Sequence, residues 1–248
     1  MIWDCRRSHK SHGTHGSHRT YAGCWLMAVT LAVLLSVGGA SAERLTAKQI
    51  VEKAAAHYDA VKDYTTDAKL TVNSPSMHVP NMLVKVYFKK PDKLHLESKD
   101  GFAMLPRNGL VVGNPIRDFA GSSDLSVAGT EKVLGKDCYV IKATYQHEDR
   151  DMQSTIWVEK NTWLVRQIHA NPEWGPSIKV KLWYSRVAGK YWLPSQTAAQ
   201  VSIPPIPGVE PKDKAKQGQP TIVTIKFSNY RVNTGLDDKI FQEKDGSK

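Results

Sequence analysis

Residues 82–98 read Met82-Leu83-Val84-Lys85-Val86-Tyr87-Phe88-Lys89-Lys90-Pro91-Asp92-Lys93-Leu94-His95-Leu96-Glu97-Ser98. Met82, Val84, Val86 and Phe88 alternate with Lys85 and Lys89, and Leu94 and Leu96 alternate with His95 and Glu97. A period of two sends successive side chains to opposite faces of an extended chain, so each run predicts a strand with one apolar and one polar side. Lys90-Pro91-Asp92-Lys93 supplies the turn between them. The stretch is thus an antiparallel hairpin with one face buried and one wet.

The same pattern continues on both sides. Upstream, Leu70 and Val72 alternate with Lys69 and Thr71. Downstream, Thr130–Leu134 and Cys138–Thr144 flank Gly135-Lys136-Asp137, with glycine where a tight hairpin needs positive φ. Ser154–Glu159 and Trp163–His169 flank Lys160-Asn161-Thr162, and Ile178–Arg186 and Tyr191–Val201 flank Ala188-Gly189-Lys190. A last strand runs from Thr221 to Val232. These turns are too short for parallel crossovers, so the expected sheet is antiparallel and of about ten strands.

A single helix precedes the strands. Thr46 and Gln49 form a capping-box pattern, and Ile50, Val51, Ala54, Ala55, Tyr58 and Val61 recur at helical spacing, which predicts a long helix to Lys62. Two segments break the strand rhythm. Residues 203–220 carry five prolines and several lysines and read as an exposed insertion. Residues 101–129 are apolar yet broken by five glycines, and contain Phe102, Met104, Leu105, Ile116 and Phe119. Within them Asn114-Pro115 suits the start of a short helix. An apolar loop in water must tuck into something, which makes this stretch a candidate lid.

Counting areas gives the next step. Ten strands at about 4.8 Å spacing make a sheet about 48 Å across. A helix of about 18 residues is about 27 Å long and about 10 Å wide, too little to cover one apolar face of that sheet. The expected fold is α+β and mainly antiparallel β: a curved half-barrel closed by one long N-terminal helix and a short lid helix. Its inward side would be lined by Leu70, Val72, Val84, Val86, Phe88, Leu94, Leu96, Ile156, Val158, Val180, Leu182 and Phe227. The count leaves two interiors open, a ligand cavity and a solid core.

The first 42 residues read as a cleavable secretory signal. Arg6, Arg7, Lys10 and Arg19 precede an apolar run from Trp25 to Val37, and Ala40-Ser41-Ala42 follows. Cys24 lies before the apolar run, so no lipid anchor is expected there. His9, His12, His15 and His18 fall inside this leader and are not expected to form a metal site. Residues 43–248 then form one domain of 206 residues with 30 basic and 23 acidic side chains. For an exported chain that balance points to anionic lipid or an acidic partner rather than nucleic acid. Cys138 is the only cysteine past residue 42, so no internal disulfide is possible.

The layout resembles the LolA/LolB-like superfamily of periplasmic lipoprotein carriers. The matching pieces are the helix running into Tyr64, Val86-Tyr87-Phe88-Lys89-Lys90-Pro91-Asp92-Lys93-Leu94, and Phe102-Ala103-Met104-Leu105-Pro106-Arg107-Asn108-Gly109. Later ones are Trp157-Val158-Glu159 with Trp163-Leu164-Val165, Tyr184 through Gly189 to Pro194, and Phe227 through Leu236 to Phe241. The resemblance implies an apolar half-barrel that receives the acyl chains of a lipoprotein or lipid for outer-membrane sorting. It further implies a monomer that takes cargo from an inner-membrane exporter and passes it to an outer-membrane acceptor. A second implied role is an envelope-stress regulatory module that engages a membrane partner. Carriers of this kind place an arginine before the proline of the second turn to hold the lid through backbone carbonyls; Lys90 stands there, a point donor without a planar fork.

No catalytic chemistry is expected. The chain has no G-x-S-x-G, no H-E-x-x-H, no Walker loop and no paired cysteines at metal spacing, so neither a cofactor nor a metal is implied. Cys138, with His147 or His95 as base, reads better as a small core residue. Asp149-Arg150-Asp151 and Asp237-Asp238 sit in turns where solvated charge is the default.

Overall fold

The computed structural model describes residues 45–75, 78–98, 114–120, 122, 124–147, 150–172, 175–202 and 219–242. The leader 1–42, the lid residues Phe102, Met104 and Leu105, and the insertion as far as 218 lie outside the described residues. In chain order the elements are α1 (Ala47–Ala56), β1 (Asp63–Asn73), β2 (Met82–Lys89), β3 (Lys93–Ser98), α2 (Arg117–Ala120), β4 (Asp124–Val133), β5 (Lys136–His147), β6 (Arg150–Glu159), β7 (Val165–Ala170), β8 (Ser177–Val187), β9 (Tyr191–Ser202) and β10 (Thr221–Val232). A 3₁₀ turn at Asp238–Phe241 follows.

All ten strands form one sheet in the order β3-β2-β1-β10-β9-β8-β7-β6-β5-β4. Every pairing is antiparallel. The sheet is open, with β3 and β4 at its two edges. Eight of the nine seams join strands that follow one another in the chain; the ninth, β1 with β10, pairs Tyr64 with Val232.

Register shows how the alternation predicted from sequence is spent. Directly opposed residues share a face, so a row can be followed across the sheet. Val72, Val223, Ala199, Val180, Ile168, Ile156, Ile141 and Val127 are consecutive partners from β1 to β4. Leu70 lies opposite Met82 and Ile225, Ala68 opposite Val84 and Phe227, and Phe88 opposite Tyr64 and Leu94. One side of the sheet is therefore apolar through all ten strands. Bulges at Val127/Gly129, Trp157/Val158, Trp183/Tyr184 and Thr65/Asp67 shift the register without breaking that side. An odd bulge residue restores the alternation that a slip of one residue would invert.

The expected long helix is the main correction. α1 has ten residues and stops at Ala56, not Lys62. Its start is as read: the Thr46 hydroxyl accepts from the Gln49 N–H, and the Gln49 side chain accepts from the Thr46 N–H at 2.8 Å. Its end is dictated from far along the chain. The Lys62 N–H donates to Asn233 Oδ1 at 2.7 Å, and the Asp63 carboxylate accepts from the Thr234 and Gly235 N–H groups at 2.8 and 3.1 Å. With residues 62 and 63 held extended at the end of β10, the chain must unwind after Ala56. Tyr58 and Asp59 donate instead to carbonyls three residues back, in two tight turns. Tyr58 and Val61 stay buried, which explains why they matched the helical period.

The lid segment differs as well. Asp124 to Gly129 belong to β4, so the loop ends earlier than residue 129. A short helix does follow Asn114-Pro115: Asn114 Oδ1 accepts from the Ile116 N–H at 3.1 Å ahead of the four-residue α2.

Candidate functional site

The apolar side of the sheet carries two clusters. In the first, Ile50, Val51 and Ala54 of α1, with Ile116 and Phe119 of the lid segment, pack on Ile141, Ile156, Val158, Val165, Val180 and Leu182. In the second, Val61 and Tyr64 meet Leu70, Val84, Val86, Phe88, Leu193 and Ile225, flanked by half-buried Leu94, Leu96 and Phe227. The second cluster has no member from α1 or α2 among the described residues. All twelve residues expected to line the interior lie on this one side. Ile156, Val158, Val180 and Leu182 fall in the first cluster and Leu70, Val84, Val86, Phe88, Leu94, Leu96 and Phe227 in or against the second, while Val72 lies opposite Val223, which packs against both.

A pocket of about 200 Å³ opens on the second cluster, beside the start of α2. Its floor is apolar: Val61, Tyr64, Phe88 and Leu193, with the Tyr64 and Phe88 rings 5.1 Å apart. Its rim is polar: Asp59, Lys90, Asn114 and Arg117. Tyr58 on the wall shares a 2.8 Å hydrogen bond with the Tyr184 hydroxyl, which donates to the Val165 carbonyl at 2.9 Å. Burial holds both phenols well above the usual tyrosine range, so they stay neutral donors. Leu70, Val84 and Val86 are themselves buried, so the interior is largely closed. The pocket is smaller than the about 300–1,000 Å³ of ordinary ligand sites.

The rim also carries two polar contacts. Among the described residues the Lys90 ammonium pairs with Asp59 at 3.1 Å, on the turn after α1. Arg117 of α2 donates to the Pro91 carbonyl at 3.0 Å and lies 3.8 Å from Asp92. Sequence reasoning placed the donor on the turn and missed Arg117. The signal available was a lone guanidinium one residue after the apolar Ile116 in a capped helix start.

Other residues singled out from sequence have structural roles. Cys138 is buried, donates to the Lys136 carbonyl, and burial pushes its thiol up to about 11, which leaves no thiolate at neutral pH. Asp237 caps the 3₁₀ turn, and Asp238 pairs with Lys89 and Lys93, whose hydrogen bonds hold its carboxyl below the usual range. Among the described residues no three His, Cys, Asp or Glu side chains are grouped to hold a metal. The side chains of His147 and of residues 149–151 lie outside those described.

No protein-family model and no curated protein matches the chain. Solved structures do. A DUF1329 family protein from Desulfovibrio piger aligns at 18% identity over 79% of this chain and 97% of its own, with a TM-score of 0.54. An outer membrane lipoprotein-sorting protein domain from Vibrio parahaemolyticus aligns at 11% identity over 79% and 95%, again with a TM-score of 0.54. A LolA superfamily protein from Nitrosomonas europaea aligns at 12% identity over 80% and 98%, with a TM-score of 0.51. The chain shares its fold with these three structures. The alignments take in nearly the whole of each neighbour, so the shared part is the complete LolA-type architecture rather than a fragment of it.

Proposed function

We propose that this LolA-type chain is a periplasmic carrier or chaperone that takes an acyl chain of a lipoprotein or lipid against the apolar side of its sheet, for outer-membrane sorting. The observation that carries this reading is the pairing of a ten-strand apolar face with two short helices whose described residues belong to only one of its two clusters. The pocket lies on the second cluster, with hydrocarbon-compatible rings below and Lys90 and Arg117 above. That polarity suits an amphiphile whose tail enters first and whose ester or phosphate stays at the rim.

At about 200 Å³ the pocket takes only the leading part of a tail, so deeper entry has to displace what is packed there. Ile116, just before α2, and Phe119 within it are the side chains poised to leave: they belong to the lid segment, and α2 is fastened to the Pro91 turn by Arg117. Lys90 and Asp59 flank that fastening. Each methylene buried yields about 0.8 kcal/mol, and the packing that the lid gives up offsets part of it, which lets the cargo be released again. A half-barrel curvature of the sheet, cleavage of residues 1–42, and transfer between an inner-membrane exporter and an outer-membrane acceptor complete the reading.

The test is native mass spectrometry and lipid extraction on the protein purified from the periplasm of an expressing host. One amphiphile per chain, exchangeable with a fluorescent fatty acid, is the expected result. A chain that carries no lipid and takes up no fatty acid would sink the reading.

A further inference from the structure

The opposite side of the sheet holds a field of lysines that the acyl-binding reading does not use. Three adjacent rows cross it. One runs Leu83, Lys69, Lys226, Gln196, Trp183, and the next Thr71, Thr224, Ala198, Lys181, Gln167, Trp157, Val140. The third runs Asn73, Ile222, Gln200, Lys179, His169, Thr155, Lys142, Ser126. These rows contain five lysines and no carboxylate. Lys69 and Lys226 are direct cross-strand partners, an arrangement of like charges that costs a sheet stability. Lys69, Lys142, Lys181 and Lys226 are exposed and Lys179 is half-exposed, with no ion pair formed by any of them among the described residues. Acidic residues on this side stand around the field: Asp67 and Glu97 lie opposite Lys85, Asp124 lies opposite Thr144 next to Lys142, and Glu131 accepts from Trp157 Nε1.

Two large aliphatic side chains stand out of the same field: Leu83 is 55% exposed and Ile222 40% exposed. Burial and the Lys179 ammonium lower the His169 pKa, so this position adds no charge at neutral pH.

We propose that this side of the sheet docks on an anionic phospholipid bilayer. From β5 to β1 the lysines span about 29 Å, six strand spacings, without a groove or an arginine fork. Point charges spread over a broad face match the diffuse potential of a lipid surface better than the fixed carboxylates of one peptide. Leu83 and Ile222 have a place among lipid headgroups and none against an acidic segment. The arrangement would set the protein on the membrane by one side of its sheet and leave the apolar side free for cargo.

Each basic side chain near an anionic leaflet gains about five-fold in partitioning at modest salt. The test is co-sedimentation of the full chain with vesicles of phosphatidylcholine alone and of equal parts phosphatidylglycerol and phosphatidylcholine. The comparison is wild type against Lys69→Gln/Lys226→Gln and Lys142→Gln/Lys181→Gln, so that any contribution from elsewhere in the chain cancels. Wild type should prefer the anionic vesicles and lose them as salt rises. Each double variant should bind about 25-fold more weakly, and Lys69→Arg/Lys226→Arg should bind as wild type does. Equal binding to both vesicle types, or double variants that bind undiminished, overturns the proposal. So does capture by immobilised polyglutamate without vesicle preference, which would assign the field to an acidic protein. Uptake of fluorescent fatty acid is measured on the same variants and should not change, so failure here leaves the acyl-binding reading standing or falling by its own test.

Discussion

Replacing Ile116 by alanine separates a removable lid from a fixed part of the core. Ile116 is fully buried, packed with Phe119 against the α1 and β-sheet residues of the first cluster. The substitution deletes three carbons, and at about 0.8 kcal/mol per buried methylene it weakens the closed lid by ~2.4 kcal/mol. If a ligand enters only when the lid is out, its apparent affinity is its intrinsic affinity scaled by the open fraction. Ile116→Ala then raises affinity by up to about 50-fold, because ~1.4 kcal/mol is a factor of ten. Displacement of a fluorescent fatty acid reads the affinity, and urea unfolding of the same samples reads the stability. Tighter binding with a modest loss of stability is the expected pair of results. The full core penalty, about 2–5 kcal/mol, with affinity unchanged or weaker, would show that Ile116 is a wall and not a plug.

Three further outcomes follow from the hydrogen bonds and ion pairs described above. Arg117→Gln removes the donor to the Pro91 carbonyl; both uptake and release in stopped-flow fluorescence should quicken by a few-fold, while urea stability moves by less than about 1 kcal/mol because the side chain is half-exposed. Arg166 donates from Nε to Glu159 at 2.7 Å, and both side chains are buried, so Arg166→Met should cost about 3–5 kcal/mol in urea unfolding; Glu159→Met/Arg166→Met together should cost far less, since no lone charge is left inside. The Cys138 thiol titrates near 9 when unfolded and is pushed up to about 11 when folded, so the folded state holds its proton longer; this contribution is intact below pH 9 and is lost as the pH rises towards 11, and iodoacetamide at pH 8 should label the thiol only at the rate of unfolding.

Much of the fold can be read from alternation alone. Val84, Val86 and Phe88 share a side with Leu94 and Leu96 because a strand offers them no other choice, and the same logic put all twelve expected lining residues on one side of ten strands. Alternation cannot say where a helix must stop. Tyr58 and Val61 fit the helical period, yet α1 ends at Ala56 because Asn233, Thr234 and Gly235, some 170 positions away, seize Lys62 and Asp63. The contact between the Pro91 turn and α2 was half legible: the Lys90-Pro91 turn was found, but Arg117, which donates to its carbonyl, was not. The lysine field was not legible, since each lysine is merely the polar half of its own strand. Only register sets Lys69 beside Lys226 and strings Lys142 and Lys179 along one row.

The β1–β10 seam has a bearing on how the chain is made. Every other seam joins neighbours in sequence and can zip as soon as its second strand emerges, whereas Tyr64 waits for Val232. Two ribbons, one of three strands and one of seven, therefore assemble by local pairing and are stitched together only when the last strand arrives, at the largest loop-closure cost in the molecule. A polypeptide threaded through an export channel amino end first would stay unstitched until its tail cleared the pore, and a truncation that removes β10 should strand the first ribbon without a neighbour.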